Sequence, residues 1–149
     1  MQMQWADIVV VDDNATLREL ISEILTECGY TVRTAEDGVA ALRCIQEQAP
    51  AILVTDLNMP VMSGFELIGL VRFRFPEVAV LAMSGALSMA DLPAGTVDEF
   101  YAKGCGSIAP LLQSLRRILG TQRAAKTRID CPIWNSSAQP EDVTAQARL

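Results

Sequence analysis

Three aspartates, a serine and a lysine are the residues of this sequence best suited to chemistry: Asp12, Asp13, Asp56, Ser84 and Lys103. Each stands at or just past the end of a short apolar run. Singly, they have ordinary roles. An aspartate pair suits the positive end of a helix, Asp56 and Ser84-Gly85 suit turns, and a lone lysine is usually a solvated charge. As a set they point elsewhere. Clustered carboxylates repel one another and call for a cation. Hard oxygen donors at an open site favour Mg²⁺, which keeps part of its water shell. Such an ion and Lys103 would neutralise a phosphoryl group. There is no histidine, so a histidine base or ligand is excluded. Cysteines at 28, 44, 105 and 131 form no Cys-x-x-Cys pair. Zinc sites of usual spacing and disulfide scaffolds are therefore not expected, and reduced thiols are the plain reading.

The elements that must position these residues alternate. Ile8 to Val11 is a β-branched run of the kind buried on both faces of a sheet. Leu17, Leu20, Ile21, Ile24, Leu25 and Cys28 then mark one helical face, with Asn14 as N-cap and Gly29 past its end. Strands are expected at 31–35, 51–55, 78–82 and 98–102, and helices at 37–48, 63–74 and 108–119. Between Ser84 and Lys103, Pro93 and Gly95 leave room only for a short or irregular helix. This alternation implies an α/β fold, a doubly wound five-stranded parallel sheet with right-handed crossovers. In such sheets ligands gather at the carboxyl ends of the strands, where all five residues lie.

The chain has 149 residues, enough for one domain with a full core. Half of the residues are apolar and the net charge is −6, which disfavours disorder and nonspecific contact with nucleic acid or anionic lipid. No apolar run approaches the ~20 residues of a membrane span, and no secretion signal is evident. A cytoplasmic protein that binds neither DNA nor membrane is expected. Composition shifts near Gly120. Residues 1–119 form the expected domain, and residues 120–149 a tail that extends the last helix and then loses order.

At this point the chain resembles a receiver domain of two-component response regulators, similar to the single-domain chemotaxis type. The resemblance rests on Ile8-Val9-Val10-Val11-Asp12-Asp13-Asn14. It rests equally on Val54-Thr55-Asp56-Leu57-Asn58-Met59-Pro60 with Gly64, and on Ser84-Gly85 and Lys103. It implies the flavodoxin-like strand order 2-1-3-4-5. It implies Asp56 as phosphoacceptor, charged by a sensor histidine kinase or phosphotransfer protein. Asp12, Asp13, Asp56 and the Asn58 carbonyl would hold Mg²⁺. Lys103 and Ser84 would contact the phosphoryl group, and Phe100 occupies the position of the family's switch aromatic. Output would pass to a downstream protein target, and a homodimer is left open. The protein would be a switch that assists its own phosphorylation and slow dephosphorylation, not an enzyme.

The sequence departs from the family in two places. Gly104 stands where proline usually follows the lysine, so a trans bond is expected after Lys103. The segment between Ser84 and Lys103 is also short. These departures are what favour the alternative, a receiver-like interaction or dimerisation module that does not switch.

Overall fold

Asp7–Val11 forms β1, and its residues alternate in direction as a strand requires. Ile8 and Val10 join one apolar cluster, while Val9 and Val11 join another on the opposite face. The same division runs through β3 (Ile52–Asp56) and β4 (Ala79–Ser84). Ile52, Val54, Leu81 and Met83 point one way, and Leu53, Val80 and Ala82 the other. These three strands are apolar on both faces because both faces are covered. The edges are β2 (Thr31–Ala35) and β5 (Glu99–Ala102). All neighbouring pairs are parallel, as the alternation implied, and the order is β2-β1-β3-β4-β5, as the resemblance implied. The structure is a computed structural model, and it describes residues 6–104 and 106–122.

Two helices cover each face. Ile21 and Leu25 of α1 (Ala15–Glu27) and Leu111 and Leu115 of α4 (Ala109–Gln122) fill the first cluster. Ala41 and Ile45 of α2 (Gly38–Glu47) and Leu67, Ile68 and Val71 of α3 (Gly64–Arg74) fill the second. Asn14 is the cap the sequence announces, while Asp37 and Ser63, expected as the first residues of their helices, stand just before them as caps. Asn14 accepts from the Leu17 N–H, Asp37 from the Ala40 N–H, and Ser63 forms a reciprocal box with Glu66. Arg33 pairs with Asp7 at 2.6 Å and donates to the carbonyls of Cys44 and Gln48, tying the end of α2 to the β1–β2 edge.

The crossover from β4 to β5 is the exception. Only a 3-10 turn, Met89–Asp91, forms there, with Ser88 and Asp91 as its capping pair. Pro93 and Gly95 break any longer helix, as expected. Leu87, Leu92 and Val97 cover the sheet in its place. Arg72 of α3 holds the segment by donating to the Thr96 carbonyl and to Asp98, each at 3.2 Å.

Several boundaries differ from the expectations. β3 and β4 run on to Asp56 and Ser84, because their last residues still pair in the ladder, Asp56 with Met83 and Ser84 with Ala102. α4 continues past 119 to Gln122, and the expected extension of the helix into the tail falls outside the described residues. Cys44 is a free thiol, but Cys28 is disulfide-bonded, which corrects the expectation of reduced thiols. No Cys-x-x-Cys spacing announces that bond, and Cys105 and Cys131 lie outside the described residues. No helix among the described residues is long and apolar enough to cross a membrane.

Candidate functional site

The carboxyl ends of β1 and β3 bring three carboxylates together. Asp12 follows β1 and is fully buried, and Asp56 ends β3 with 4% of its surface exposed. Asp13 is exposed beside them. One oxygen from each of the three lies within 4.8 Å of the others. Lys103, just past β5, places Nζ 3.1 Å from Asp12 Oδ2 and 3.1 Å from Asp56 Oδ2. Burial opposes the charge on Lys103. Hydrogen bonds and Coulomb attraction from Asp56 and Asp12 outweigh it and raise the lysine above its ordinary pKa.

Backbone donors hold the carboxylates in place. Asp12 Oδ1 accepts from the Asn14 N–H at 2.9 Å, and Asp56 Oδ1 from the Asn58 N–H at 3.3 Å. Asp12 Oδ2 is buried and accepts no hydrogen bond of good geometry among the described residues, and the Lys103 ammonium 3.1 Å away compensates its charge. One ammonium faces three carboxylates. The excess negative charge, the oxygen donors and an exposed Asp13 on the solvent side fit a divalent cation that retains water. The residues present therefore suit Mg²⁺, and Asp12, Asp13 and Asp56 are the side chains that could hold it.

The other expected residues are placed less directly. Ser84 is buried at the end of β4, but its Oγ accepts from the N–H groups of Ala86 and Leu87, at 3.1 and 2.9 Å. It thus pins its own loop, and its hydroxyl proton remains available to donate. Asn58 is exposed next to Asp56. Phe100 is half-buried and packs on the second cluster, while Tyr101 faces the first and donates to the Ser107 carbonyl at 2.8 Å. Both aromatics thus serve packing in this state. The chain has no cis peptide among the described residues, as expected after Lys103, and Gly104 has φ +83°.

Arg18 was not singled out from the sequence, and Gly64 was named there only as part of the motif, without its steric role. Arg18, one turn into α1, donates from Nη1 to the Asp12 carbonyl at 2.6 Å and so braces the segment carrying Asp12 and Asp13. A basic residue one helical turn beyond a capped aspartate pair was the available signal. Gly64 opens α3 directly against β3. A Cβ there would lie 2.1 Å from the Asp56 carbonyl oxygen and 2.7 Å from Leu57 Cα, so only glycine lets the helix start beside Asp56.

This fold, with acidic residues and a lysine at its carboxyl edge, defines a class of signalling domain. The sequence profile of the response regulator receiver domain matches residues 8–99, and the chain belongs to that family. A chemotaxis response regulator of Vibrio cholerae, CheY4, is 30% identical over 78% of this chain and 100% of its own, with a TM-score of 0.72. The response regulator TrrA of Thermotoga maritima, solved in complex with Mg(2+)-BeF, is 31% identical over 78% of this chain and 100% of its own, with a TM-score of 0.69. Among curated proteins, the probable transcriptional regulatory protein TcrX of Mycobacterium tuberculosis is 31% identical over 85% of this chain. FleR of Pseudomonas aeruginosa is 36% identical over 53% of it. The chain spans 54% of the length of TcrX and 17% of FleR. Receiver domains are phosphoacceptor switches of two-component signalling and interact with histidine kinases.

Proposed function

We propose that this chain accepts a phosphoryl group on Asp56 from a histidine kinase or phosphotransfer protein and signals through a downstream protein. The reading rests chiefly on Lys103 Nζ, 3.1 Å from both Asp12 and Asp56 at the mouth of the acidic cluster. A carboxylate is a weak nucleophile, but phosphoryl transfer asks mainly for positioning and charge neutralisation. A carboxylate oxygen of Asp56 attacks phosphorus, the donor's N–P bond breaks, and an acyl phosphate forms. Lys103 compensates the charge on the transferred group. The Ser84 hydroxyl donates its free proton to a phosphoryl oxygen, and the Ala86–Leu87 loop it pins follows it. Phe100, on the adjacent strand, is the aromatic placed to respond.

Asp12, Asp13, Asp56 and the Asn58 carbonyl are the proposed Mg²⁺ ligands. When bound, the ion supplies charge neutralisation and holds the phosphoryl donor in line. The Mg(2+)-BeF complex of TrrA supports this assignment for the matching residues here. Residues 1–119 constitute the receiver and 120–149 a tail. Net charge −6 supports a protein target over DNA.

The test is intact-protein mass spectrometry after incubation with acetyl phosphate and Mg²⁺, with Asp56→Asn alongside. One added phosphoryl group in the wild type and none in the variant is expected. Absence of an adduct while Mg²⁺ still binds would establish the non-switching module instead. Slow loss of the adduct is also expected, because Ala86 offers no acid or amide to an attacking water. A half-life of seconds would refute that part.

A further inference from the structure

Cys28 caps the end of α1, is buried, and is disulfide-bonded. Cys44 is free, so the partner is Cys105 or Cys131. The sheet decides between them. The 13 residues of α1 run ~20 Å from Asn14, at the carboxyl edge, to Cys28 at the amino edge. Thr31, three residues on, opens β2 opposite Asp7 and donates to the Ala6 carbonyl at 3.1 Å. Cys105 belongs to the other edge. It follows Lys103 by two residues, and the Lys103 N–H donates to the Ser84 carbonyl at 2.9 Å while Nζ meets Asp12 and Asp56. Two residues reach at most ~7 Å, and a disulfide joins Cα atoms only about 4.4–6.8 Å apart. Cys105 falls short of Cys28.

Cys131 starts from the right corner. α4 returns from the carboxyl edge on the same face as α1, so its last residue, Gln122, stands at the amino edge. Arg116 of α4 already lies close enough for its charge to act on Tyr30, two residues past Cys28, where it opposes the rise that burial imposes on the phenol. From Gln122 to Cys131 the chain has nine residues, which extend up to ~30 Å. Neighbouring helices lie only about 8–10 Å apart. The tail therefore reaches Cys28 with length to spare.

We infer that Cys28 is bonded to Cys131, so that a redox-sensitive clasp fastens the tail to the end of α1. The bond forms by exchange with glutathione disulfide. One protein thiolate attacks it, its S–S bond breaks, and one glutathione leaves. The second protein thiolate then displaces the other glutathione from the mixed disulfide. Each cysteine gives up one proton and one electron, and glutathione disulfide becomes two glutathione thiols. The clasp closes a loop of roughly 100 residues, which restricts the unfolded chain and so stabilises the domain. The inference does not depend on phosphoryl transfer.

The test equilibrates the whole chain with reduced and oxidised glutathione, alkylates it with iodoacetamide during unfolding, and digests it with trypsin without reduction. The expected product is residues 19–33 linked to residues 129–148, from a protein of monomeric mass, with Cys44 and Cys105 alkylated. Dithiothreitol should lower the melting temperature of the wild type and of Cys105→Ser by roughly 5–15 °C. It should leave Cys131→Ser, already at the lower value, unchanged. Cys131 lies beyond α4, so that variant keeps every residue of the two apolar clusters. A link from residues 19–33 to residues 104–116, a link only between two molecules, four alkylated cysteines, or a wild-type melting temperature indifferent to dithiothreitol would overturn the inference.

Discussion

Asp13 and Lys103 balance the site in opposite senses. Asp13 adds a third negative charge to a cluster that already holds two, and no ion pair of its own compensates it among the described residues. Asp13→Asn is therefore expected to raise stability without divalent ions and to reduce the stabilisation that Mg²⁺ brings. For the wild type that stabilisation is ~2.7 kcal/mol at an ion concentration one hundred times the dissociation constant. Urea titrations with and without Mg²⁺ read both effects, and an unchanged response to Mg²⁺ would remove Asp13 from the ligand set. Lys103 acts the other way. Lys103→Met leaves the buried Asp12 and Asp56 uncompensated, at a cost of about 1–3 kcal/mol. The folded pKa of Lys103 lies above 10.5. Its contribution is thus complete below pH 10.5 and is lost as pH rises through the raised folded value. The stability gap between wild type and Lys103→Met should narrow only in that alkaline range. A gap that closes nearer neutrality would mean the lysine is not held as described.

The strands and helices exist to set those few side chains, and most of them were legible. Alternating apolar runs and helical periodicity revealed the order of elements, because central strands covered on both faces must be apolar throughout. Asn14 stood out as a cap for the same reason that it works, a side-chain oxygen placed to accept an orphan N–H. Strand ends were less legible. Asp56 and Ser84 read as turn residues by type, yet ladder pairing carries them into β3 and β4. The clearance around Gly64 was hidden too, since a steric limit between α3 and β3 leaves no periodic trace. Gly64→Ala should cost about 1–3 kcal/mol through overpacking. It should also weaken Mg²⁺ binding, because the displaced backbone carries Asp56. Calorimetric titration of the folded variant checks this, and wild-type affinity would show that the β3–α3 junction does not position the carboxylate. Gly104, with φ +83°, occupies a region closed to proline. The loop after Lys103 thus follows a different path from one built on a lysine–proline step.

At the scale of the molecule, the site is carried by the layer common to both halves of the core. Helices α1 and α4 close one cluster and α2 and α3 the other, but β1, β3 and β4 contribute side chains to each. Leu57, next to Asp56, packs in the second cluster, and its N–H donates to the carbonyl of Met83, whose side chain packs in the first. Neither cluster can loosen without disturbing the strands that end in Asp12 and Asp56. The two faces should therefore unfold together. Leu81→Ala, in the first cluster, and Leu53→Ala, in the second, each remove a fully buried side chain and should each cost about 2–5 kcal/mol. In both variants, near-UV and far-UV circular dichroism should report one coincident transition. Saturating Mg²⁺ should raise stability by the same increment in each, because the proposed ion site lies on the shared strands and not on one layer. Separate transitions, or an increment that survives in one variant and vanishes in the other, would mean that one face carries the site alone.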